Sequence, residues 1–254
     1  MGTMRVAGWW LAIVAAGCAA GCSAVQAQAG ADRVPVLAEL FTSEGCNSCP
    51  PADTLLEVMM QEQPIKGVYI IALSEHVTYW DNQGWKDPFD SPQFTARQQQ
   101  YGNRFNLDSI FTPQLVIDGA AEFIGSDQKK IESGLIAAAK TPKPALTVDV
   151  TSDGSVINAS ASGPGLTAEK DAELMFALTE DHLAVDVKRG ENANRTLKHS
   201  GVVRILQSAG SVDATSKRVS FKLSPDWKRE NLRVVSFVQS KKNRRIVSVA
   251  SAKP

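Results

Sequence analysis

Cys46 and Cys49 stand two residues apart in the run Gly45-Cys-Asn-Ser-Cys. A thiol pair carries out exchange chemistry when one cysteine is a thiolate at ambient pH and the other can attack the mixed disulfide that forms. Placement at a helix start supplies both conditions. Free N–H groups and about half a positive charge favour the thiolate of Cys46, while Cys49, one turn inward, becomes the resolving thiol. On that reading Cys46 is the nucleophile and the more exposed of the two. Closing so short a loop removes little unfolded-state entropy, so the pair reads as redox-active and not as a staple. The other two cysteines, Cys18 and Cys22, lie near the N-terminus, which excludes a four-cysteine zinc site and a multi-disulfide scaffold in the folded part.

Several residues are placed to tune this pair. Glu44 lies two positions before Cys46, where a nearby negative charge disfavours the thiolate. Asn47 and Ser48 can donate hydrogen bonds to it. Pro50 disfavours a helical backbone at Cys49, so the regular helix is expected to begin at Pro51. Glu39, the one charge in the preceding apolar run, either relays the proton that Cys49 must lose, or faces solvent or pairs with an arginine. The loop that carries His76, Tyr79, Trp80, Asp81, Trp85, Lys86 and Asp87 holds more chemistry than a connector needs. There His76 can act as base, pH switch or metal ligand, or it can simply hold the loop together with Asp81 while Trp80 covers the sheet. Thr112-Pro113 precedes a strand. A cis bond there would set Pro113 beside the cysteines and leave the main chain of Thr112 free for an extended substrate.

These residues need elements to hold them. Val34 to Phe41 is a buried-strand run, Ala52 to Gln61 has Leu55, Leu56, Met59 and Met60 at helical spacing, and Val68 to Leu73 is a second strand parallel to the first. Ser91-Pro92 opens a helix to Phe105, Gln114–Asp118 and Ala121–Ile124 form a hairpin, and Ser126 and Asp127 offer caps for a helix to about Lys140. The order is βαβα-ββα over residues 30–143, with Lys140 to Pro144 as a linker. From Ala145 the pattern turns to period two, as in Leu174, Phe176, Leu178 and Val219, Phe221, Leu223, which argues for an all-β antiparallel sandwich over residues 144–254.

The chain has 254 residues with 27 basic and 27 acidic side chains, so net charge gives no reason to invoke nucleic acid. The balance is uneven: Asp32 to Asp181 holds 10 basic and 22 acidic residues, and His182 to Pro254 holds 16 and 5. Residues 1–29 read as a signal peptide, with Arg5 as the lone charge, an apolar stretch from Val6 to Ala20 and a small-residue cleavage site at Ala27-Gln28-Ala29. That implies export to a bacterial periplasm or secretion, with membrane attachment only if Cys18 or Cys22 is lipidated.

The runs ELFTSEGCNSCPPAD, HVTYWDNQGWKDPFDSPQFTARQ, TPQLVIDG and GENANRTLKHSGVV resemble an exported, thioredoxin-like family known as domain of unknown function 1223. The resemblance implies a thioredoxin-like domain with a β-rich extension, and a thiol-disulfide oxidoreductase using Cys46, Cys49 and Pro113 without a cofactor. Its partners would be protein or small-molecule thiols and disulfides, together with a redox partner that resets the pair. The alternatives are a Cu(I)-binding or metal-delivery protein using Cys46, Cys49 and His76, and a redox-silent interaction module. Arg195 and His199, in the long GENANRTLKH segment, either reach back toward the cysteines or belong to an ordinary crossing loop.

Overall fold

The computed structural model describes residues 1–2, 33–212 and 215–254. The charged and apolar parts of the expected signal peptide, with Cys18 and Cys22, lie outside the described residues.

β1 (Val34–Thr42) is buried along nearly its whole length, as a strand covered on both faces must be. It pairs in parallel with β2 (Val68–His76) in a register that runs from Val34↔Val68 to Thr42↔His76. Alternation divides the two strands. Val36, Ala38, Leu40, Ile70 and Ala72 face one side, where they pack against Leu56 and Met59 of α1 (Pro50–Glu62) and Ile131 and Leu135 of α3 (Gln128–Ala139). Leu37, Ile71 and Leu73 face the other side with Phe94 of α2 (Pro92–Phe105). Local capping sets the helix starts: Ser91 Oγ accepts from the Gln93 amide at 3.2 Å, and Asp127 Oδ1 accepts from the Lys130 amide at 3.2 Å. β3 (Gln114–Ile117) runs antiparallel to β1, and β4 (Ala121–Ile124) closes that edge as a hairpin.

The second half contributes β5 (Thr147–Asp153), β6 (Val156–Ser162), β7 (Ala172–Glu180), β8 (Leu183–Asp186), β9 (Thr196–His199), β10 (Val202–Ser211), β11 (Ser216–Lys222), β12 (Leu232–Ser240) and β13 (Ile246–Ala252). The change of pattern near residue 144 marks a change of strand type and not a break in the sheet. One eight-stranded sheet runs β13-β12-β7-β10-β2-β1-β3-β4, and the three-stranded sheet β11-β6-β5 packs over its far end through Val148, Ile157, Phe176, Phe221 and Val234. The junction follows from β2, whose outer edge would otherwise present unpaired backbone groups between two apolar faces. β10 takes that edge in parallel, with Val202 opposite Ser74 and the Ser74 amide donating to the Gly201 carbonyl at 2.8 Å. Gly201 has φ +68°, and a β carbon there would sit 3.2 Å from the Ala72 carbonyl oxygen, so the close approach and the turn both require glycine.

Residues 140–144, expected as a linker, are pinned. Lys143 Nζ reaches Asp118 Oδ2 at 2.7 Å and donates to the Pro35 carbonyl at 2.9 Å, and Asp118 Oδ1 accepts from the Leu37 amide at 2.9 Å. Leu37, Ile71 and Leu73 also share a core with Met175, Val203, Val235 and Phe237 of the second half. We therefore expect a single unfolding transition. Trp80 and Trp85 report on the first half and Trp227 on the second, and in single-tryptophan variants their fluorescence should change at the same denaturant concentration. Two separated midpoints would show that the halves unfold independently.

Candidate functional site

Because β1 and β2 are parallel and end together at Thr42 and His76, the loops that leave them emerge at one end of the sheet. The segment after β1 turns at once: the Gly45 amide donates to Ser43 Oγ at 3.1 Å and the Cys46 amide to the Ser43 carbonyl at 3.2 Å. Gly45 lies against Trp80, whose Cβ would be 2.8 Å from a β carbon at that position. Cys46 and Cys49 are joined as a disulfide. Helix α1 begins at Pro50 and not at Pro51, and Cys49 has helical φ −78° and ψ −37° despite the following proline. The Cys49 carbonyl accepts from the Ala52 amide at 2.8 Å and the Asp53 amide at 3.1 Å, and those two bonds offset the steric penalty. Of the two intervening residues, Ser48 approaches the sulfur, with Oγ 3.3 Å from Cys46 Sγ.

Exposure does not separate the cysteines, since both are 0% accessible. The cover comes from the second half. Asn192 Nδ2 donates to the carbonyls of Glu44 at 2.8 Å and Cys46 at 3.0 Å, Arg195 Nη1 holds Asn192 Oδ1 at 2.7 Å, and Glu191 Oε2 accepts from the Asn47 amide at 3.3 Å. The GENANRTLKH segment thus does reach the cysteines.

Beneath this cover lies a buried set of titratable groups. Glu44 Oε2 accepts from Trp85 Nε1 at 2.7 Å, and Glu44 Oε1 is 3.2 Å from His199 Nε2. Asp87 Oδ2 takes the Glu44 amide at 2.8 Å and His76 Nδ1 at 2.7 Å, while its Oδ1 takes the Phe89 amide at 2.9 Å. Burial alone would raise the Asp87 pKa, but His76 and the backbone donors outweigh it and hold the carboxyl down at about 2. For His76 burial opposes the charged form, and the Asp87 carboxylate more than offsets it, so the pKa is raised. The rings of His76 and His199 meet edge to face with centroids 4.9 Å apart. Asp53, in the first turn of α1, has its Oδ2 4.0 Å from His199 Nδ1, and burial raises its pKa.

The sequence-derived residues sort as follows. Cys46, Cys49, Glu44 and His76 lie in this site. Trp80 is a strut between them and the next loop, since its Nε1 donates to Thr112 Oγ1 at 2.8 Å. The Thr112–Pro113 bond is cis, and Pro113 lies near Ala52 of α1 and Leu40, since a β carbon at Gly125 would touch all three. Asp81 does not join the cluster: it pairs on the surface with Lys86 at 2.9 Å, and Asp87 holds His76 instead. Glu39 belongs to the opposite face of the sheet, as alternation along β1 requires, where Arg97 and Tyr101 occupy both of its oxygens at 2.5 Å. That geometry favours the arginine-pairing alternative for Glu39 over a proton relay. Asp53 and Asn192 escaped the sequence reading. Asp53 had a legible signal, an acidic residue in the Ala52, Leu56, Met59 stripe of an amphipathic helix. Asn192 had none. Among the described residues, no three histidine, cysteine, aspartate or glutamate side chains are grouped to hold a metal ion.

Fold and site together make this a mixed-sheet α/β protein whose covered disulfide spans two residues at a helix start. The chain belongs to the family described as "Protein of unknown function (DUF1223)", which matches residues 37–239. It is similar to a solved structural-genomics protein from Agrobacterium tumefaciens, with 26% identity over 86% of this chain and 94% of that one and a TM-score of 0.66. It also shares a fold with HBP35 of Porphyromonas gingivalis, at 14% identity over 88% of this chain and 76% of that one, with a TM-score of 0.60. No curated protein matches the chain.

Two outcomes follow from this geometry. Replacing Asn192 by alanine removes two hydrogen bonds of about 1 kcal/mol each from the cover, so the disulfide should react with dithiothreitol on the order of tenfold faster while the circular dichroism spectrum stays native. Replacing Asp87 by asparagine should be most damaging between about pH 4 and 6.5. The lowered Asp87 pKa stabilises the fold above its ordinary 3.8 and is lost as pH falls toward about 2. The raised His76 pKa stabilises it below 6.5 and is lost as pH rises through the folded value. A shift of nearly two units in Asp87 corresponds to about 2 kcal/mol. The gap in melting temperature between wild type and variant should therefore narrow above the His76 titration.

Proposed function

We propose that this chain is an exported thiol-disulfide oxidoreductase, thioredoxin-like in its first half. The observation that carries the reading is the Cys46–Cys49 disulfide, closed immediately before α1 and backed by buried histidines and carboxylates. Support for the fold name comes from the βαβαββα order through Ala139, the strand order β2-β1-β3-β4 and the position of Thr112-Pro113 ahead of β3. Export is supported by the first 29 residues of the sequence, which read as a signal peptide, and a periplasm or the cell exterior is a compartment where disulfides persist. Cys46 attacks the substrate disulfide and Cys49 resolves the mixed disulfide. Partners are thiols or disulfides, including one that resets the pair.

The full burial of both cysteines favours a second reading, a redox-silent module in which the disulfide is structural. Equilibration of the pair with dithiothreitol or glutathione separates the two. The oxidoreductase reading expects a potential between about −270 and −120 mV, and a structural bond lies below about −300 mV. In the same reading Cys49→Ser accumulates mixed disulfides at Cys46, and Cys46→Ser accumulates none.

A further inference from the structure

A cavity of about 590 Å³ lies at the end of β3 away from Pro113, bounded by the hairpin turn after Ile117, the last turns of α3, residues 141–144 and the turn between β12 and β13. Its volume falls within the roughly 300–1,000 Å³ of small-molecule sites, which favour the junctions between parts of a fold. The walls are fixed without a ligand. The Ile246 amide donates to the Asp118 carbonyl at 2.8 Å, Lys143 Nζ is 2.7 Å from Asp118 Oδ2, and a β carbon at Gly119 would overlap the Arg244 carbonyl oxygen. On α3, Gly134 lets the Phe123 ring lie against the helix, since a β carbon there would come within 2.6 Å of the ring. The cavity is therefore pre-formed, and a ligand does not have to order it.

The lining divides by chemistry. Ile117, Phe123, Ala137, Ala138, Pro142 and Val247 supply an apolar wall for a ring or a short branched chain. Among the charged groups, Lys143 and Asp118 satisfy each other, and Glu169 Oε1 accepts from Ser240 Oγ. Arg245 differs from these. It lines the cavity from the β12–β13 turn, is exposed, and its guanidinium has no hydrogen bond or ion pair among the described residues. Beside it, Asn243 Oδ1 accepts from the Arg245 amide at 3.0 Å, which leaves the Asn243 side-chain N–H groups free to donate.

We propose that this cavity binds a small amphipathic monoanion, with an aromatic or branched aliphatic body on the apolar wall and a carboxylate or sulfonate held by Arg245 and the Asn243 side-chain amide. A guanidinium presents planar, paired N–H donors that match such an oxyanion. Glu169 lines the same cavity, so a second negative charge on the ligand would meet a carboxylate and no further free cation. An ion without an apolar body would leave the wall uncovered and gain only a contact with one solvated arginine. Because the cavity is built from both halves of the chain, its occupant stabilises them together. The proposal stands whether or not the disulfide exchanges.

The test uses the oxidised full chain and two fluorescent probes that share a body, 8-anilinonaphthalene-1-sulfonate and the uncharged N-phenyl-1-naphthylamine. Wild type should bind the sulfonate saturably, one per chain, and the uncharged probe more weakly. Arg245→Gln should weaken the sulfonate on the order of tenfold and leave the uncharged probe unchanged. Ala137→Trp, at an exposed position of α3, fills the cavity and should weaken both probes to a similar degree, with circular dichroism and melting temperature checking that each variant is folded. In wild type alone, the sulfonate should shift the amide resonances of Gly134, Ala138 and Val247 and leave those around the cysteines in place, a readout that does not depend on any variant folding. Absence of saturable binding, shifts that fall elsewhere on the chain, sulfonate affinity unchanged in either folded variant, or equal losses of both probes in Arg245→Gln would each overturn the proposal.

Discussion

The parallel register of β1 and β2 is the constraint on which the site depends. It brings Thr42 and His76 side by side and sends both following loops off the same end of the sheet. Open α/β sheets hold their functional groups outside the carboxyl ends of parallel strands for this reason. One carboxylate of the second loop then fastens the first loop to the end of β2, since Asp87 Oδ2 accepts from the Glu44 amide and pairs with His76 Nδ1. A one-residue slip would exchange the faces of every side chain on the strand, moving His76 to the α2 side and Glu75 to the α1 side.

That sheet carries buried titratable groups on both faces. On the α2 face Arg97 is held by Glu39 and Gln239, with Tyr101 Oη donating to Glu39 and accepting from Arg97. Burial pushes the neighbouring Glu75 well above the usual carboxylate range, so it adds little charge. Removing one member of such a pair costs about 3–5 kcal/mol because the other is left buried and uncompensated. The network is a strut, and Gln239 extends it into β12, across the boundary near residue 144. On the α1 face the ring nitrogens His76 Nε2 and His199 Nδ1, and on the α2 face both carboxyl oxygens of Glu75, are buried without a hydrogen-bond partner among the described residues.

Much of this was legible from residues alone. Two-sided burial of β1 and β2 could be read from VPVLAELF and VYIIAL, and the starts of α2 and α3 from Ser91-Pro92 and Asp127, because these signals are local. The cysteines and His76 declared themselves by type and spacing. The rest depended on long-range pairing. Nothing in the period-two pattern after Ala145 says whether its strands close on themselves or add to an existing edge, and here β10 adds to β2. Asp81 and Asp87 are equally plausible partners for His76 by sequence, and only the path of the loop selects Asp87. Glu39 could be placed on the α2 face only by knowing which alternate residues of β1 look toward α1.

The continuous sheet also explains how one end of it can hold a site built from both halves. His199, Ser200 and Gly201 lead directly into β10, whose first residue pairs with Ser74 two positions before His76. The same parallel pairing that protects the β2 edge therefore delivers His199 to the carboxyl end of β2. Upstream, the ribbon of β8 and β9, in register from Leu183↔His199 to Asp186↔Thr196, returns the chain over the cysteines. Asn192 sits in the loop between those strands, where one side-chain amide spans the carbonyls on either side of Gly45. Separate halves joined by a flexible tether would have to bring these groups together against the entropy of the tether. Here Lys143 and the β2–β10 junction have already fixed the distance, so cover and histidine arrive with the fold.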